Sequence, residues 1–251
     1  MQEQEYIPQE LSPEDLDWCV KRLPRKVASA LKNFAGNVCV GGGYIRSCIT
    51  EDHLKDFDLF VNSGEVAELV NKHCKNEDQK DFKTKNAYTI LRGEKPPIQI
   101  ITRWLYGKPQ DVLGDLDFTI CCAVIWFENG RFRSAVHPLY YSDLAAKRLR
   151  YTSPNRIEEC GGSLLRVLKY YNKGYRIMLT SYARTIARMM MGVKGLEFKG
   201  SETSENSNDD WSAEKQLAKI INGLLVEVDP NAVGEVDFVR DTDEEEEQND
   251  L

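Results

Sequence analysis

The strongest constraint on the fold is the stretch from Val38 to Val61, in which an apolar run, three glycines and two acids follow one another. Residues 38–40 (Val-Cys-Val) have the apolar character of a short strand. Residues 41–43 are all glycine, which permits unusual backbone angles and lets a phosphate approach the N–H groups that open the next helix. The stretch therefore predicts a strand, a glycine turn, a short helix and a second strand.

Asp56 and Asp58 begin the second of these strands, because polar and apolar residues alternate over residues 56–61. Side chains two positions apart in a strand point to the same face, so both carboxylates are expected on one face. Two carboxylates beside a glycine-lined helix start suit Mg²⁺ and a nucleoside triphosphate. Alone, a glycine triplet usually marks a turn and an Asp-x-Asp a solvated strand edge, but together they favour a nucleotidyl-transfer site.

Composition excludes several classes of protein. The chain has 251 residues, of which 41% are hydrophobic and 29% charged, which predicts one large or two small globular domains. No apolar run is long enough to span a bilayer, and the N-terminus lacks the basic-then-apolar pattern of a signal peptide. Seven cysteines without a C-x-x-C pair disfavour a zinc site. We therefore expect a cytoplasmic protein with reduced core thiols and no membrane partner.

Charge is distributed unevenly along the chain. Residues 131–199 contain 14 Lys/Arg and 4 Asp/Glu, whereas residues 200–251 contain 3 basic and 16 acidic residues. The basic block is expected to hold a triphosphate or nucleic acid, and the less favoured alternative is that part of it is a solvated helical face. The acidic tail, residues 241–251, is expected to be disordered, and its partner would be basic.

Strand patterns dominate residues 38–137 and helical patterns dominate from residue 142 onward, which indicates an α+β fold with a mixed β-sheet, flanking helices and a helical neck. The predicted domains are a nucleotidyltransferase head, a helical neck, a flexible linker, a C-terminal helical region and an acidic tail, over residues 1–140, 141–199, 200–210, 211–240 and 241–251.

Several local patterns make sharper predictions. Ser12 is expected to cap a first helix, Asn129-Gly130 to form a hairpin turn, and Ser142 to cap a helix of the neck. Residues 75–85 are polar and are expected to form a loop. The apolar run 117–127 is either a buried strand or, at its start, a buried helical segment.

Five collinear motifs resemble the head and neck of class II CCA-adding enzymes and bacterial poly(A) polymerases, members of the DNA polymerase β-like nucleotidyltransferase superfamily. The similarity covers roughly residues 35–178. The matching residues are Gly42, Gly43, Ile45 and Arg46; Asp56 and Asp58; Asp117-Phe118-Thr119-Ile120; Asp143-Leu144, Lys147 and Arg150; and Leu165-Arg166, Lys169-Tyr170 and Gly174-Tyr175.

The resemblance implies a role for each candidate residue. Asp56 and Asp58 would hold Mg²⁺ or Mn²⁺, with Asp117 as a further catalytic carboxylate, and an acceptor hydroxyl would attack the α-phosphorus of an NTP or dNTP. Gly42 and Gly43 would present backbone to the triphosphate. The arginines expected to neutralise phosphate charge are Arg46, Arg150 and Arg166, although a surface ion pair is an equal alternative for Arg150 and Arg166.

The sequence also departs from these enzymes. Ser47 replaces an expected Asp, and Gln99 stands where a third carboxylate is expected, with Asp115 or Asp117 as candidates to replace it. The base-reading arginine is absent, since residues 159–163 read Glu-Cys-Gly-Gly-Ser. A counterpart of the long helical body that holds tRNA in these enzymes is also not expected in this sequence. We therefore do not expect CCA addition.

Two functions remain open from the sequence. The first is a metal-dependent nucleotidyltransferase that modifies an RNA or DNA end or a protein hydroxyl, with tRNA, other RNA, DNA or a protein as partner, in a toxin-like or antiphage-defence role. The second is an inactive nucleotide- or nucleic-acid-binding module of the same fold, which Gln99 favours and the two retained acids disfavour.

Overall fold

A computed structural model describes residues 6–152 and 162–192, which belong to two separate units. In the first unit the helices are α1 (Pro13–Arg22), α2 (Arg25–Asn33), α3 (Gly43–Ile49), α4 (Gly64–Cys74) and α5 (Tyr140–Ala145). Its strands are β1 (Val38–Gly41), β2 (Phe57–Val61), β3 (Asp81–Lys83), β4 (Ala87–Arg92), β5 (Lys95–Ile101), β6 (Ala123–Glu128), β7 (Arg131–Val136) and β8 (Arg148–Leu149).

Seven of these strands form one sheet in the order β3-β4-β5-β2-β1-β6-β7. β2 and β5 run parallel, whereas the other neighbours are antiparallel. The mixed sheet with flanking helices confirms the predicted α+β class. The parallel pair places β2 at the centre of the sheet, with β1 and β5 on its two sides.

The two faces of the sheet differ in what covers them. Val40, Leu59, Ile100 and Ile125 are fully buried on one face, against which α2 and α4 pack. On the other face, the core joins strand residues to the segment that follows β5; its members are Cys39, Phe60, Tyr106, Val112, Leu113, Leu116, Cys122, Val124, Trp126 and Ala135. We call this second face the site face, because Gly41, Asp58 and Gln99 share it by register.

Local sequence explains the ends of several elements. The Ser12 hydroxyl accepts a hydrogen bond from the Asp15 N–H, and Ser63 caps α4 in the same way through Val66. These caps satisfy N–H groups that have no partner within the helix. The hairpin at Asn129-Gly130 has positive φ at both residues, as a type I′ turn requires. The predictions of a cap at Ser12 and a hairpin turn at Asn129-Gly130 are confirmed.

Other local predictions were wrong or incomplete. Residues 81–83, expected in a loop, form the edge strand β3, because pairing with β4 overrides their polar composition. Ser142 lies inside α5, where its hydroxyl donates to the Leu139 carbonyl instead of capping a helix start. The apolar run splits into a 3₁₀ turn over Thr119–Cys121 and β6. Residues Pro109–Asp115 also form a 3₁₀ helix.

The second unit contains α6 (Gly162–Asn172), β9 (Arg176–Ile177) and α7 (Leu179–Gly192). Both helices agree with the helical spacing of the sequence, and Gly174 follows α6 with a φ of +86°. The linker, last helix and acidic tail predicted over residues 200–251 lie outside the described residues. Within the described ranges, no helix is long and apolar enough to cross a membrane. The six cysteines that the structure describes are buried, and none of these six forms a disulfide.

Candidate active site

The glycine turn, Gly41–Gly43, joins β1 to α3, and its first two residues need glycine for different reasons. At Gly41 a Cβ would lie 3.0 Å from Val124 Cγ1 and 3.1 Å from the Ala123 carbonyl oxygen, so close packing against β6 leaves no room for a side chain. Gly42 has a φ of +68°, which L-residues rarely adopt. Its N–H donates to the Ala123 carbonyl at 3.0 Å, which fixes the turn against β6.

Asp58 lies directly beside this turn. It is the register partner of Gly41, and a Cβ on Gly42 would lie 3.9 Å from Asp58 Oδ2. Asp56 precedes the first residue of β2, and both aspartates are half-buried. The structure therefore brings together the glycine turn and the Asp58 carboxylate, as the sequence predicted.

Gln99 is the neighbour of Asp58 on the parallel strand β5. Paired residues of adjacent strands share a face, so the Gln99 amide stands next to the Asp58 carboxylate. Thr89 follows in the same row as the partner of Gln99 on β4. The structure thus places a neutral amide at the position where the sequence comparison expected a third acid.

The candidate site offers few donors for a metal ion. Across residues 6–152 and 162–192, no three His, Cys, Asp or Glu side chains form a group that could hold a metal. Mg²⁺, however, is commonly held by one or two carboxylates together with substrate phosphates and water. Asp56 and Asp58 fit that requirement, with the amide oxygen of Gln99 as a neutral neighbour.

Arg46 lies beneath the glycine turn on α3 and is only 3% exposed. Its Nη1 donates to Cys121 Sγ at 3.5 Å, and its Nη2 lies 3.5 Å from Ser47 Oγ. A Cβ on Gly43 would be 3.7 Å from the same Nη2. The guanidinium is therefore a fixed positive charge next to the turn, between α3 and the segment that contains Cys121.

Arg150 is held by Asp143, a carboxylate that is fully buried. Arg150 Nε donates to Asp143 Oδ2 at 3.0 Å, Arg148 Nη1 lies 3.5 Å from Oδ1, and the Thr119 hydroxyl donates to Oδ2 at 2.8 Å. The ion pair fixes one side of the Arg150 guanidinium, whose side chain is 31% exposed. In the sequence, Asp143 and Thr119 belong to two of the matched motifs but have no assigned role. The collinear order of those two motifs was the sequence feature that pointed to them.

Asp117 and Arg166 complete the predicted set. Asp117 is 4% exposed, and its carbonyl accepts the Thr152 N–H at 2.9 Å, so the backbone at this motif is tied to the chain after β8. Arg166 lies half-buried on α6 in the second unit. The catalytic role of Asp117 and the phosphate-binding roles of Arg46, Arg150 and Arg166 stay predictions.

A pair of buried cysteines supports α3 from the side of α1. The Tyr44 hydroxyl donates to the Cys19 carbonyl at 2.5 Å, and Trp18 Nε1 donates to the Cys48 carbonyl at 3.1 Å. The pKa of the Cys48 thiol is lowered from its ordinary value, mainly by a side-chain hydrogen bond from Cys19, although burial opposes the shift. These contacts fix the helix that follows the glycine turn.

Comparison with solved structures identifies the fold. The Thermotoga maritima CCA-adding enzyme complexed with tRNA is 17% identical and has a TM-score of 0.54; the match covers 90% of this chain and 57% of that enzyme. A CCA-adding enzyme in complex with CTP is 18% identical, with a TM-score of 0.53, and the match covers 75% of this chain and 48% of that enzyme. These neighbours confirm the nucleotidyltransferase fold but do not give the family.

The family comes from sequence comparison. The model of the Gabija anti-defense 2 family protein, Gad2, matches residues 10–147, which is more than half of the chain. A protein of Bacillus phage SPbetaL7, described as Gabija anti-defense 2, is 23% identical over 168 residues, which span 67% of this chain and 40% of that protein. The described role is anti-defense, whereas the sequence analysis left a toxin-like or antiphage-defence role open. The chain belongs to the Gabija anti-defense 2 family.

Proposed function

We propose that this protein is a metal-dependent nucleotidyltransferase that transfers a nucleotide from an NTP or dNTP to an acceptor hydroxyl. The observation that carries the proposal is the position of Asp58, half-buried on the site face of β2, with its Oδ2 3.9 Å from the Cβ position of Gly42 and with Asp56 just before the strand. This arrangement puts a carboxylate beside a turn in which Gly42 and Gly43 have no side chains of their own.

Each candidate residue would have its own role in nucleotide transfer. Asp56 and Asp58 would hold Mg²⁺ or Mn²⁺, which supplies charge neutralisation at the triphosphate when it is bound. Gly42 and Gly43 allow phosphate oxygens to reach the backbone, because no Cβ stands in the way. Arg46 contributes a fixed positive charge beneath the turn, and preorganised charge of this kind stabilises the transition state without reorganisation at the moment of reaction.

The acceptor is an RNA or DNA end or a protein hydroxyl, and we place the activity in anti-defence. The relative from Bacillus phage SPbetaL7 carries the description Gabija anti-defense 2. Because it is more than twice as long as the matched region, its activity as a whole protein reaches this chain only as a proposal. On this account the modified acceptor would be a component on which the Gabija defence depends.

A phage-challenge experiment tests this function. Cells that carry the Gabija defence would express the wild type, Asp58→Asn, or Asp17→Asn, and phage plating would be counted. Asp17 is an exposed carboxylate on α1 in an i,i+4 pair with Lys21, so Asp17→Asn controls for the loss of one negative charge. We expect plating to rise with the wild type and with Asp17→Asn, but not with Asp58→Asn. Equal plating with all three variants would refute a role for the carboxylate.

A second candidate function is an inactive binding module, which the neutral Gln99 beside Asp58 specifically favours. Calorimetry separates the two functions. The transferase requires Mn²⁺ and nucleotide to bind together and both to weaken in Asp58→Asn. Nucleotide binding that is unaffected by the metal and by Asp58→Asn would favour the binding module.

A further inference from the structure

The row of side chains that contains Asp58 continues to the edge of the sheet. Asp58 pairs with Gln99 on β5, Gln99 with Thr89 on β4, and Thr89 with Phe82 on β3. Register partners share a face, so the four side chains form one line across the site face. The line begins at the predicted metal site and ends at an aromatic ring.

Phe82 is 50% exposed, although phenylalanine is among the side chains that gain most from burial. Leu91, two residues along β4 from Thr89 and at the point where the β4–β5 register shifts, is 44% exposed. Thr89 lies between them and is 8% exposed. A single exposed apolar residue needs no explanation, but here two lie next to Thr89, which belongs to the same row as the Asp58 carboxylate.

Charge around Phe82 favours an anionic ligand. Lys80 and Lys85 are exposed within three residues of it, whereas Lys83 lies on the opposite face of β3, with its Nζ 5.0 Å from the centroid of the Tyr88 ring. The acid between Lys80 and Lys85, Asp81, turns to the other side of the sheet, where it accepts hydrogen bonds from Asn71, at 2.8 Å, and from Lys75. Its negative charge is therefore offset on the helix-covered side. What remains near the ring on this edge is the pair Lys80 and Lys85, and the exposed acids Glu77 and Asp78 lie further back in the turn before β3.

We propose that the row from Asp58 to Phe82, which we call the acceptor track, binds the single-stranded end of a polynucleotide acceptor, with Phe82 stacking against one of its bases. An aromatic platform beside backbone-tracking cations is the usual way in which proteins hold single strands. Thr89 and Gln99 supply hydrogen-bonding groups between the platform and the reaction site. The inference rests on the proposed function, and it names the acceptor that function leaves open.

The length of the acceptor track argues for a strand instead of a lone nucleotide. Adjacent strands lie about 4.8 Å apart, so β3 is roughly 14 Å from β2. A stacked strand rises about 3.4 Å per nucleotide, so the track spans roughly four stacked nucleotides. The base of a nucleotide whose phosphates lie at Asp58 would therefore not reach Phe82, whereas an upstream base of an acceptor would.

Fluorescence anisotropy with short labelled oligonucleotides tests the inference on the full chain. Binding is measured without metal or triphosphate, so the result does not depend on nucleotide transfer. Phe82→Ala and Phe82→Leu remove the ring, Phe82→Trp keeps a stacking surface, and Leu69→Ala removes a side chain that is 51% exposed on α4 as a control. The thermal midpoint of each variant shows that the fold is retained.

We expect single strands to bind roughly 5- to 150-fold more weakly to Phe82→Ala and Phe82→Leu, as loss of one stacked base predicts. Phe82→Trp and Leu69→Ala should bind like the wild type, and duplexes of the same sequence should bind more weakly than single strands. Unchanged binding by Phe82→Ala, or no binding by the wild type, would overturn the inference. A matching loss of triphosphate affinity in Phe82→Ala would also overturn it, because one nucleotide would then reach the ring.

Failure of the proposed transfer activity can be distinguished from failure of the acceptor track. If no nucleotide is transferred while single strands still bind in a Phe82-dependent way, the catalytic proposal is wrong and the acceptor track stands as a binding site. If transfer occurs but is insensitive to Phe82→Ala at limiting acceptor, the acceptor lies elsewhere and only the track is refuted.

Discussion

Replacing Gly41 with alanine tests the packing that positions the candidate site. The added Cβ would lie 3.0 Å from Val124 Cγ1, 3.1 Å from the Ala123 carbonyl oxygen and 3.2 Å from Phe60 Cε2. The Val124 and Phe60 side chains can shift by a few tenths of an ångström. The carbonyl cannot do so without cost, because it accepts the Gly42 N–H in the glycine turn.

The magnitude follows from these three contacts. Overpacking in a close-packed core costs about 1–3 kcal/mol, and a fixed backbone oxygen among the contacts places Gly41→Ala in the upper part of that range, at about 2–3 kcal/mol. For a protein of this size, that corresponds to a fall in thermal midpoint of about 4–12 °C. Gly64→Ala, where a Cβ would meet nothing within 4 Å, is the matched control and should lose no stability.

Thermal unfolding followed by circular dichroism measures the effect. Val124→Ala removes one of the three close contacts. We therefore expect Gly41→Ala to cost less stability in the Val124→Ala background than in the wild type, although the clash with the Ala123 carbonyl remains. Because Gly41 is the register partner of Asp58, metal-dependent nucleotide binding should weaken together with stability. A Gly41→Ala protein that unfolds at the wild-type midpoint would refute the packing account of the glycine turn.

Three further predictions concern groups around the turn. Asp143→Asn should destabilise the fold by about 3 kcal/mol, the low end of the range for a broken buried ion pair, because its arginine partners are partly exposed. Urea unfolding measures the loss, and an unchanged midpoint would show that the buried pair is not needed. Gln99→Glu should tighten Mn²⁺ binding by placing a third carboxylate beside Asp58, as measured by electron paramagnetic resonance; weaker binding would contradict the metal site. The hydrogen bond from Cys19 lowers the pKa of Cys48, so Cys48 should be alkylated at a lower pH than the other buried cysteines. Peptide mass spectrometry measures the order of labelling, and a Cys48 that is labelled last would contradict the lowered pKa.

Local features of the fold could be predicted from the sequence. The helix starts at Ser12 and Ser63 depend on side chains that bond their own backbone, and the hairpin at Asn129-Gly130 depends on two residues that accept positive φ. The glycine turn and the alternation over β2 are likewise local. Each of these needs only a few consecutive residues, so a single sequence contains the information.

Non-local pairing could not be predicted in this way. Residues 81–83 look like a loop because their strand character comes from β4 and not from their own composition. The parallel pairing that puts Gln99 beside Asp58 joins segments about forty residues apart, and the resemblance indicated only which residues to compare. Asp143 was visible as a motif, but its contacts with Thr119 and Arg150 depend on the packing of α5. Ser142, a good cap by residue type, lies within the helix instead.

The most direct test of the central claim is transfer of an α-labelled nucleotide. Each α-labelled NTP and dNTP would be incubated with Mg²⁺ or Mn²⁺, total RNA or no acceptor, and either the wild type, Asp17→Asn or the Asp56→Asn/Asp58→Asn double variant. We expect label to move into RNA, a free oligomer or the protein itself with the wild type and Asp17→Asn, with pyrophosphate released in equal amount, and not with the double variant. Label transfer that persists in the double variant would contradict the assignment of the two carboxylates, and absence of transfer under all conditions would contradict the proposed activity.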